Sequence, residues 1–343
     1  LKSIFSLLFL ILFNFGFGQK KNSIISNAID TLLINESIKP FNGAVLITKG
    51  ERKIYENFIG FSDFESKIIL TQNDSFVVGS VSKQFTAALV LIEYDKGNLD
   101  LSVPIKKYLP EIKQNWSDLV TVHHLLTHMH GIESLDKPLL FEAGTQYLYS
   151  QIGYDLLAKI LEKITGKGFS SLSQELFQKC GMKNTFHPDF KTNSNLVKGY
   201  TKTETEGLDF ETNTFQNYPA AGSFISTAED LHKWNSIFFE GKLFKKRTFK
   251  LLITKHKGAI RQHPVFGLTE YGYGTTIDTK DGITQYGQTG FTPGFLSMNF
   301  YFPKKKISVI VLQNVVYDLN DLKNTFFYHT EVLKIIRKNY DRI

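Results

Sequence analysis

The sequence predicts an α+β fold: one antiparallel sheet assembled from both ends of the chain, with an α-helical region inserted between them. Strand signals lie at both ends, helical signals lie in the middle, and no internal repeat or low-complexity linker divides the chain. With 343 residues and 42% hydrophobic content, the chain also has enough apolar material for a large core. The sheet region is expected at about 40–75 and 265–343, and the helical region at about 80–230.

The first residues, "LKSIFSLLFLILFNFGFGQKK", set Lys2 before an apolar run from Ile4 to Phe13, with Gly16 and Gly18 after it. That order fits a secretory signal peptide over 1–18. A single domain over 19–343 would remain, periplasmic or secreted. A membrane-spanning anchor would need about twice that apolar length. The lone cysteine, Cys180, is far from the cleavage point, so a lipid anchor there is unsupported and no internal disulfide can form. The core must hold the fold.

Next, "FNGAVLITKGERKIYENFIGF" (41–61) reads as two strands around a Lys49-Gly50 turn. The run from about Ser82 to Lys96 is apolar on nearly every face and is stopped by Gly97, which predicts a central buried helix. Helical patterns follow in "TVHHLLTHMHGI" and "YDLLAKILEKITGKG". Ser226 or Thr227 can cap a helix that carries Glu229 and Asp230 in its first turn. Strands return with "EYGYGTTID", an Asp281-Gly282 turn, "ITQYGQTG", "GFLSMNFYF" and "KISVIVLQN", before a terminal helix at about 319–338.

The net charge is +7, but the positive residues are scattered in short groups such as Lys304 to Lys306. Without a continuous basic face and interleaved aromatics, nucleic acid is not expected as a partner.

Ser80 and Lys83 stand three apart where the buried helix opens, so they share a face one turn apart. Burying an ammonium is costly unless it is paired or loses its proton. A serine is a poor nucleophile without a base beside it, and a desolvated lysine can be that base. Lowering a lysine pKa by about 3 units corresponds to roughly 4 kcal/mol, within the reach of burial. Taken alone, the pair could equally be a cap at a helix start. A second S-x-x-K runs from Ser134 to Lys137, but Pro138 disfavours a helical Lys137.

The surrounding segments decide between these readings. "FVVGSVSKQFTAALV", "GNLDLSVPIKKYLPE", "TVHHLLTHMHGI", "YLYSQIGYDLLAKILEKITGKG", "AAGSFISTAEDLHKW" and "YGQTGFTPGF" follow one another in that order. Together they resemble the serine β-lactamase and penicillin-binding-protein-like family, especially its class C β-lactamase, DD-peptidase and esterase branch, over roughly 40 to 316. The resemblance implies a β-lactamase/transpeptidase-like three-layer fold, with an antiparallel sheet flanked by helices and the site in the groove beside an inserted helical region.

It further implies that Ser80 is the acylated nucleophile, Lys83 its proton acceptor, and Tyr149 the shuttle that passes a proton to the leaving group. Gln288, Thr289 and Gly290 match the strand element usually written K-T-G or H-x-G. The oxyanion hole would use the backbone N–H groups of Ser80 and Phe291. Two departures stand out. The family's asparagine is Gln151, an amide on a stem about 1.5 Å longer. The family's lysine or histidine is Gln288, which removes a positive charge from the pocket wall unless Arg261 or Lys280 folds in to replace it. Two chance matches, Tyr55–Asn57 and His256–Gly258, fall in a strand and a loop that lack the accompanying residues.

His124 and His128 are four apart and could share a metal on one helix face. Leu125 stands where a metalloprotease glutamate would be, however, and no third ligand is near. Hydrogen-bonded structural histidines are the better account. No metal or cofactor is expected.

The expected function is a secreted serine hydrolase working through an acyl-enzyme on Ser80, acting on carboxylic esters or D-amino-acid peptides. A β-lactam or a peptidoglycan-derived peptide is the alternative substrate. A non-catalytic binder or sensor on the same fold is the alternative class. No G-x-S-x-G elbow exists to support a Ser-His-Asp hydrolase.

Overall fold

The computed structural model describes residues 23–34, 39–190, 195–202, 207–212 and 219–343. Its main sheet takes two strands from the N-terminal side, β1 (Gly43–Lys49) and β2 (Arg52–Ile59). The C-terminal side supplies β3 (Ile260–His263), β4 (Gly267–Tyr271), β5 (Thr276–Asp278), β6 (Gln285–Thr292), β7 (Phe295–Phe302) and β8 (Ile307–Gln313). The order across the sheet is β2-β1-β8-β7-β6-β5-β4-β3. The two ends of the chain therefore meet at β1 and β8, which run antiparallel with Gly43 opposite Gln313 and Lys49 opposite Ile307.

Both predicted hairpin turns form. Gly50 joins β1 to β2 at φ +54°, and Asp281 and Gly282 both take positive φ between β5 and β6, at +57° and +70°. Along the central strands the side chains alternate between two cores, as the pleat requires. Val45, Ile47, Val309 and Val311 face a cluster with Ile29, Val332 and Ile336. These last three belong to two terminal helices, α1 (Ser23–Leu33) and, at the other end of the chain, Phe327–Lys338. Ala44, Leu46, Ile310 and Leu312 face the larger core, made with the inserted helical region. Helices lie on both faces of the sheet, which makes three layers.

The helix expected behind Ser82 is α2 (Ser82–Lys96), with every residue from Ser82 to Leu91 buried. Gly97 ends it in the left-handed conformation, returning its N–H to the carbonyls of Glu93 and Tyr94. It packs on α3 (Ile152–Thr165), and the helix α4 (Ala228–Phe238) lies against the sheet. Thr227 rather than Ser226 caps α4, its hydroxyl accepting from the Asp230 N–H.

The structure also departs from the sequence expectations. The "TVHHLLTHMHGI" segment is helical only over Val122–Leu126, because His128 takes φ +59°. His124 and His128 therefore do not share a helix face. The terminal helix is broken at Phe326 into Leu322–Thr325 and Phe327–Lys338. Neither α1 nor β3 was expected. The anticipated signal peptide, 1–18, lies outside the described residues. Among the described residues no helix is long and apolar enough to cross a membrane.

Candidate active site

The site begins with a turn under steric constraint. A single 3-10 turn, Gly79–Val81, precedes α2 and carries Ser80. Gly79 sits at φ +51°, and a Cβ there would lie 2.8 Å from the Phe291 nitrogen. A Cβ on Gly290 would meet the Val78 carbonyl oxygen at 2.1 Å and Ser297 Oγ at 2.4 Å. Strand β6 and the nucleophile turn can approach this closely only because both positions are glycine. Ser297 Oγ then donates to Val78 O at 2.7 Å, tying the turn to β7. The consequence is that the Phe291 nitrogen is held against the nucleophile turn at Gly79, while the Phe291 ring is left 38% exposed.

Lys83 is fully buried one turn into the helix. Its Nζ is 3.2 Å from Ser80 Oγ, 2.6 Å from Gln151 Oε1 and 2.9 Å from Ala221 O. Desolvation by burial pushes its pKa below the ordinary lysine value, against the opposing pull of Tyr149. A neutral amine has two N–H donors and one lone pair. The two carbonyl oxygens around Nζ can only accept, so they take the two N–H groups and leave the lone pair for the Ser80 hydroxyl. Ser80 is the one partner of the three that can give Lys83 a proton.

Tyr149 closes the constellation. The Lys83 Nζ lies 4.7 Å from its ring centroid. Its hydroxyl is buried and completes no standard hydrogen bond among the described residues, although it is within the influence of Ser80 and Lys83. Burial alone would raise the phenol pKa. Lys83 and Arg261, with the Ser80 and Lys83 hydroxyl and amine, outweigh that and bring it below its ordinary value. Four residues expected from sequence, Ser80, Lys83, Tyr149 and Gln151, are thus brought together around the Lys83 amine, and the Phe291 nitrogen lies against the turn that carries Ser80.

Gln288 and Thr289 are placed differently from what the sequence suggests. Gln288 is completely buried, and both ends of its amide are engaged: Oε1 accepts from Arg261 Nη1 at 3.1 Å and Nε2 donates to Tyr271 Oη at 3.1 Å. Thr289 is also buried, and its Oγ1 pairs with His263 Nε2 at 2.9 Å. His263 Nδ1 accepts from the backbone N–H groups of Val265 and Phe266, so Nε2 carries the ring proton and donates to Thr289. Arg261 and His263 both come from β3, which turns its side chains onto β6.

The positive charge missing at position 288 is therefore present after all. The Arg261 guanidinium lies 4.0 Å from the Tyr149 ring centroid. Lys280, the other cation considered, points elsewhere, donating to Phe266 O at 3.2 Å and lying 3.8 Å from Asp278.

One group escaped sequence reasoning, and one histidine expected to be structural sits at the site. Asp155, on the first turn of α3, is buried enough that its carboxyl is pushed up to about 6, with the Ala220 N–H and Lys83 pulling it partly back. Its only signal in the sequence was its place four residues after Gln151. His128 packs its ring 4.5 Å from Tyr149 and 5.0 Å from Tyr271, and its Nδ1 accepts from the Ser150 N–H. Burial, then the cations Lys83 and Arg261 together with His130, keep it neutral. The other histidines of that segment are also engaged: His123 with Tyr273, His124 with the Thr121 N–H, and His130 with the Ile132 N–H. Among the described residues no group of three or more His, Cys, Asp or Glu is arranged to hold a metal ion.

The competing sequence matches do not assemble. Ser134 donates to Asp136, and Lys137 pairs with Glu133. Tyr55 bonds Asp30 and Asn57 on β2, and His256 bonds the Leu251 carbonyl.

A model of the Beta-lactamase family matches residues 35–334, which takes in the nucleophile turn, Tyr149 and β6. The chain belongs to the Beta-lactamase family. Among curated proteins it is 27% identical over 257 residues to a teichoic acid D-alanine hydrolase of Staphylococcus aureus. That match covers 68% of this chain and 62% of the relative's length. Solved members of the fold include the D-amino acid amidase of Ochrobactrum anthropi SV3, with a TM-score of 0.81 at 21% identity, over 92% of this chain and 99% of that one. An octameric penicillin-binding protein homologue from Pyrococcus abyssi superposes with a TM-score of 0.70 at 24% identity, over 86% of this chain and 73% of that one. These similarities establish the β-lactamase-like fold.

Proposed function

We propose that this chain is a serine hydrolase that forms an acyl-enzyme on Ser80 and acts on esters and amides of D-amino acids or related small acyl groups. The observation that carries this reading is the Lys83 amine, fully buried and placed with two carbonyl acceptors and the Ser80 hydroxyl around it. In the first step Ser80 Oγ bonds to the substrate carbonyl carbon as its proton passes to Lys83 Nζ. The oxyanion that forms is met by the backbone N–H groups of Ser80 and Phe291, donors typically worth about 3 kcal/mol each to a transition state. The bond to the leaving group then breaks as Tyr149 gives that group its proton, and Lys83 reprotonates Tyr149. Water, activated by the same base, releases the acid and restores Ser80.

The choice of D-amino-acid esters and amides draws on the printed activities of the D-alanine hydrolase and the D-amino acid amidase. Arg261, stacked beside Tyr149, keeps carboxylate-bearing substrates, β-lactams included, as a second reading. Export through the 1–18 leader would place the enzyme outside the cytoplasm, where such substrates are found in cell walls.

The test is labelling of the purified protein with a fluorophosphonate probe, followed by peptide mapping and hydrolysis assays on D-alanyl esters, D-alanyl amides and a chromogenic β-lactam. Wild type should carry the adduct on Ser80, Ser80→Ala should lose both labelling and turnover, and Ser134→Ala should retain both. An adduct on another serine would overturn the assignment. A β-lactam hydrolysed faster than any ester would favour the second reading.

A further inference from the structure

Building on the serine-hydrolase reading, we infer that Arg261 is a positioning residue that strengthens Tyr149 as the acid protonating the leaving group, and that Gln288 is the residue that holds Arg261 there.

The argument starts from the stacking. A guanidinium within about 6 Å of an aromatic centroid is attracted to the ring face, and arginine keeps its charge at any working pH. Arg261 stands at 4.0 Å, well inside that range. It is fixed by Nη1 donating to Gln288 Oε1, and Gln288 is fixed in turn by its own donation to Tyr271. A buried glutamine with both amide ends engaged cannot swing toward a substrate. It can set where Arg261 sits.

Several titratable groups face Tyr149. From α2 comes Lys83; from the turn after Val122–Leu126 comes His128; from α3 comes Tyr154; from the sheet come Arg261 and Tyr271; and Tyr147 lies on its own segment. Asp155 acts one step further away, through Lys83. Burial keeps His128 neutral and raises the proton affinity of Tyr147, Tyr154 and Tyr271. That leaves two groups able to carry positive charge beside Tyr149, Lys83 and Arg261.

Lys83 changes charge during turnover, since it gains the Ser80 proton and then gives one to Tyr149. Arg261 does not. When the Tyr149 O–H bond breaks and the proton bonds to the departing oxygen or nitrogen, a phenolate is left for the moment before Lys83 refills it. The guanidinium over the ring favours that phenolate at every stage. Its effect should therefore be felt in proportion to how much the leaving group needs a proton.

The experiment compares two esters with the same acyl group in purified wild type, Arg261→Met, Arg261→Lys, Gln288→Leu and Tyr149→Phe. A nitrophenyl ester expels a stable anion and needs no proton; an alkyl ester needs one. In Arg261→Met, kcat/KM for the alkyl ester should fall about 10²-fold, and that for the nitrophenyl ester by less than about threefold. The kinetic pKa of the limb belonging to Tyr149 should move upward. Arg261→Lys should recover part of the loss, Gln288→Leu should fall between, and Tyr149→Phe should show the same dependence on leaving group, only larger. Should Arg261→Met fail to fold, Arg261→Lys and Gln288→Leu carry the same comparison. Equal losses on both esters, or a change in KM alone with kcat and pH profile kept, would overturn the inference while leaving Ser80 labelling intact. A wild type that neither labels at Ser80 nor cleaves either ester would instead remove the hydrolase reading, and this inference with it.

Discussion

Gln151 Oε1 lies 2.6 Å from Lys83 Nζ, closer than the Ser80 hydroxyl at 3.2 Å. The longer amide at this position has not lost contact with the base; it reaches Lys83 from the residue just before α3. Removing an acceptor of this kind typically forfeits about 1.5–3 kcal/mol when the partner is charged, or roughly ten- to a hundredfold in rate. Gln151→Leu is therefore expected to lower kcat/KM on a D-alanyl ester by about that factor, with the protein still folded. Gln151→Asn keeps the chemistry but not the reach, and should fall between. Steady-state kinetics on the three proteins decide it, and a fully active Gln151→Leu would remove Gln151 from the site.

The contact between β6 and the nucleophile turn gives a second expectation. Alanine at position 290 would drive its Cβ into the Val78 carbonyl at 2.1 Å, so strand and turn must separate. The Phe291 nitrogen would move away from the nucleophile turn, and if it is an oxyanion donor as proposed, losing it costs about 10²–10³-fold in kcat. Gly290→Ala should show that loss in the acylation rate, read by stopped-flow with a fluorogenic ester. A Gly294→Ala variant serves as a control for strain in the same hairpin, since Gly294 (φ +77°) would meet Gly199 instead.

Lys83 gives the clearest separation of stability from activity. The proposed mechanism needs its neutral form, so kcat/KM should rise with pH through a kinetic pKa below that of an ordinary lysine. Lys83→Met replaces a buried amine with an apolar chain of similar length, and such exchanges are often neutral for stability. Two carbonyls, of Gln151 and Ala221, lose a donor and offset part of any gain. The variant should melt within a few degrees of wild type yet hydrolyse nothing. Residual turnover in a folded Lys83→Met would assign the base elsewhere.

The parts of this architecture that could be read from sequence are those whose chemistry is contiguous. Ser80 and Lys83 sit one turn apart on a helix whose apolar run and Gly97 stop are unambiguous, so spacing alone placed them on one face. Tyr149 is different. Nothing in its local pattern marks it, and only the ordered set of family segments singled it out. Strand β3 shows why the rest was hidden. "IRQH" has one apolar residue, Ile260, and that one is half-exposed on an edge, so no alternation announces a strand. Arg261 could be named as a cation able to replace the charge absent at position 288, but its placement depends on side chains of β3 reaching β6 across the two strands between them. Helix α1 does carry a helical signal, with Ile25, Ile29 and Leu33 at four-residue spacing, but it directly follows the leader-like run, whose continuous apolar content masks that periodicity. The His124–His128 spacing misled in the opposite sense, because the positive φ at His128 ends the helix that the spacing assumed.

Acid sensitivity follows from the buried histidines. Burial holds His130 at about 4, with His124 a minor contributor, and His263 at about 3, aided by Arg261. Burial also lowers His329 to about 3, against two backbone hydrogen bonds that favour its charged form. An unfolded chain binds protons at these rings near pH 6.5, whereas the folded chain does not until about pH 4 or lower. Stability is thus complete above pH 6.5 and is lost as the pH falls toward the folded values. Each fully buried ring contributes up to about 1.4 kcal/mol per pH unit in that window. Asp155 works the other way. Its carboxyl keeps a proton to about pH 6 in the folded state but loses it near 3.8 when unfolded, so it favours the fold as pH drops between those values. One carboxyl set against at least three histidines leaves a net loss. Urea midpoints measured from pH 7.5 to 4.5 should therefore fall steeply below pH 6.5. His130→Asn, which keeps an acceptor for the Ile132 N–H without a titratable ring, should flatten that slope by up to about 1.4 kcal/mol per pH unit. A wild-type midpoint that stays constant across this range would show that these rings are not held neutral by burial.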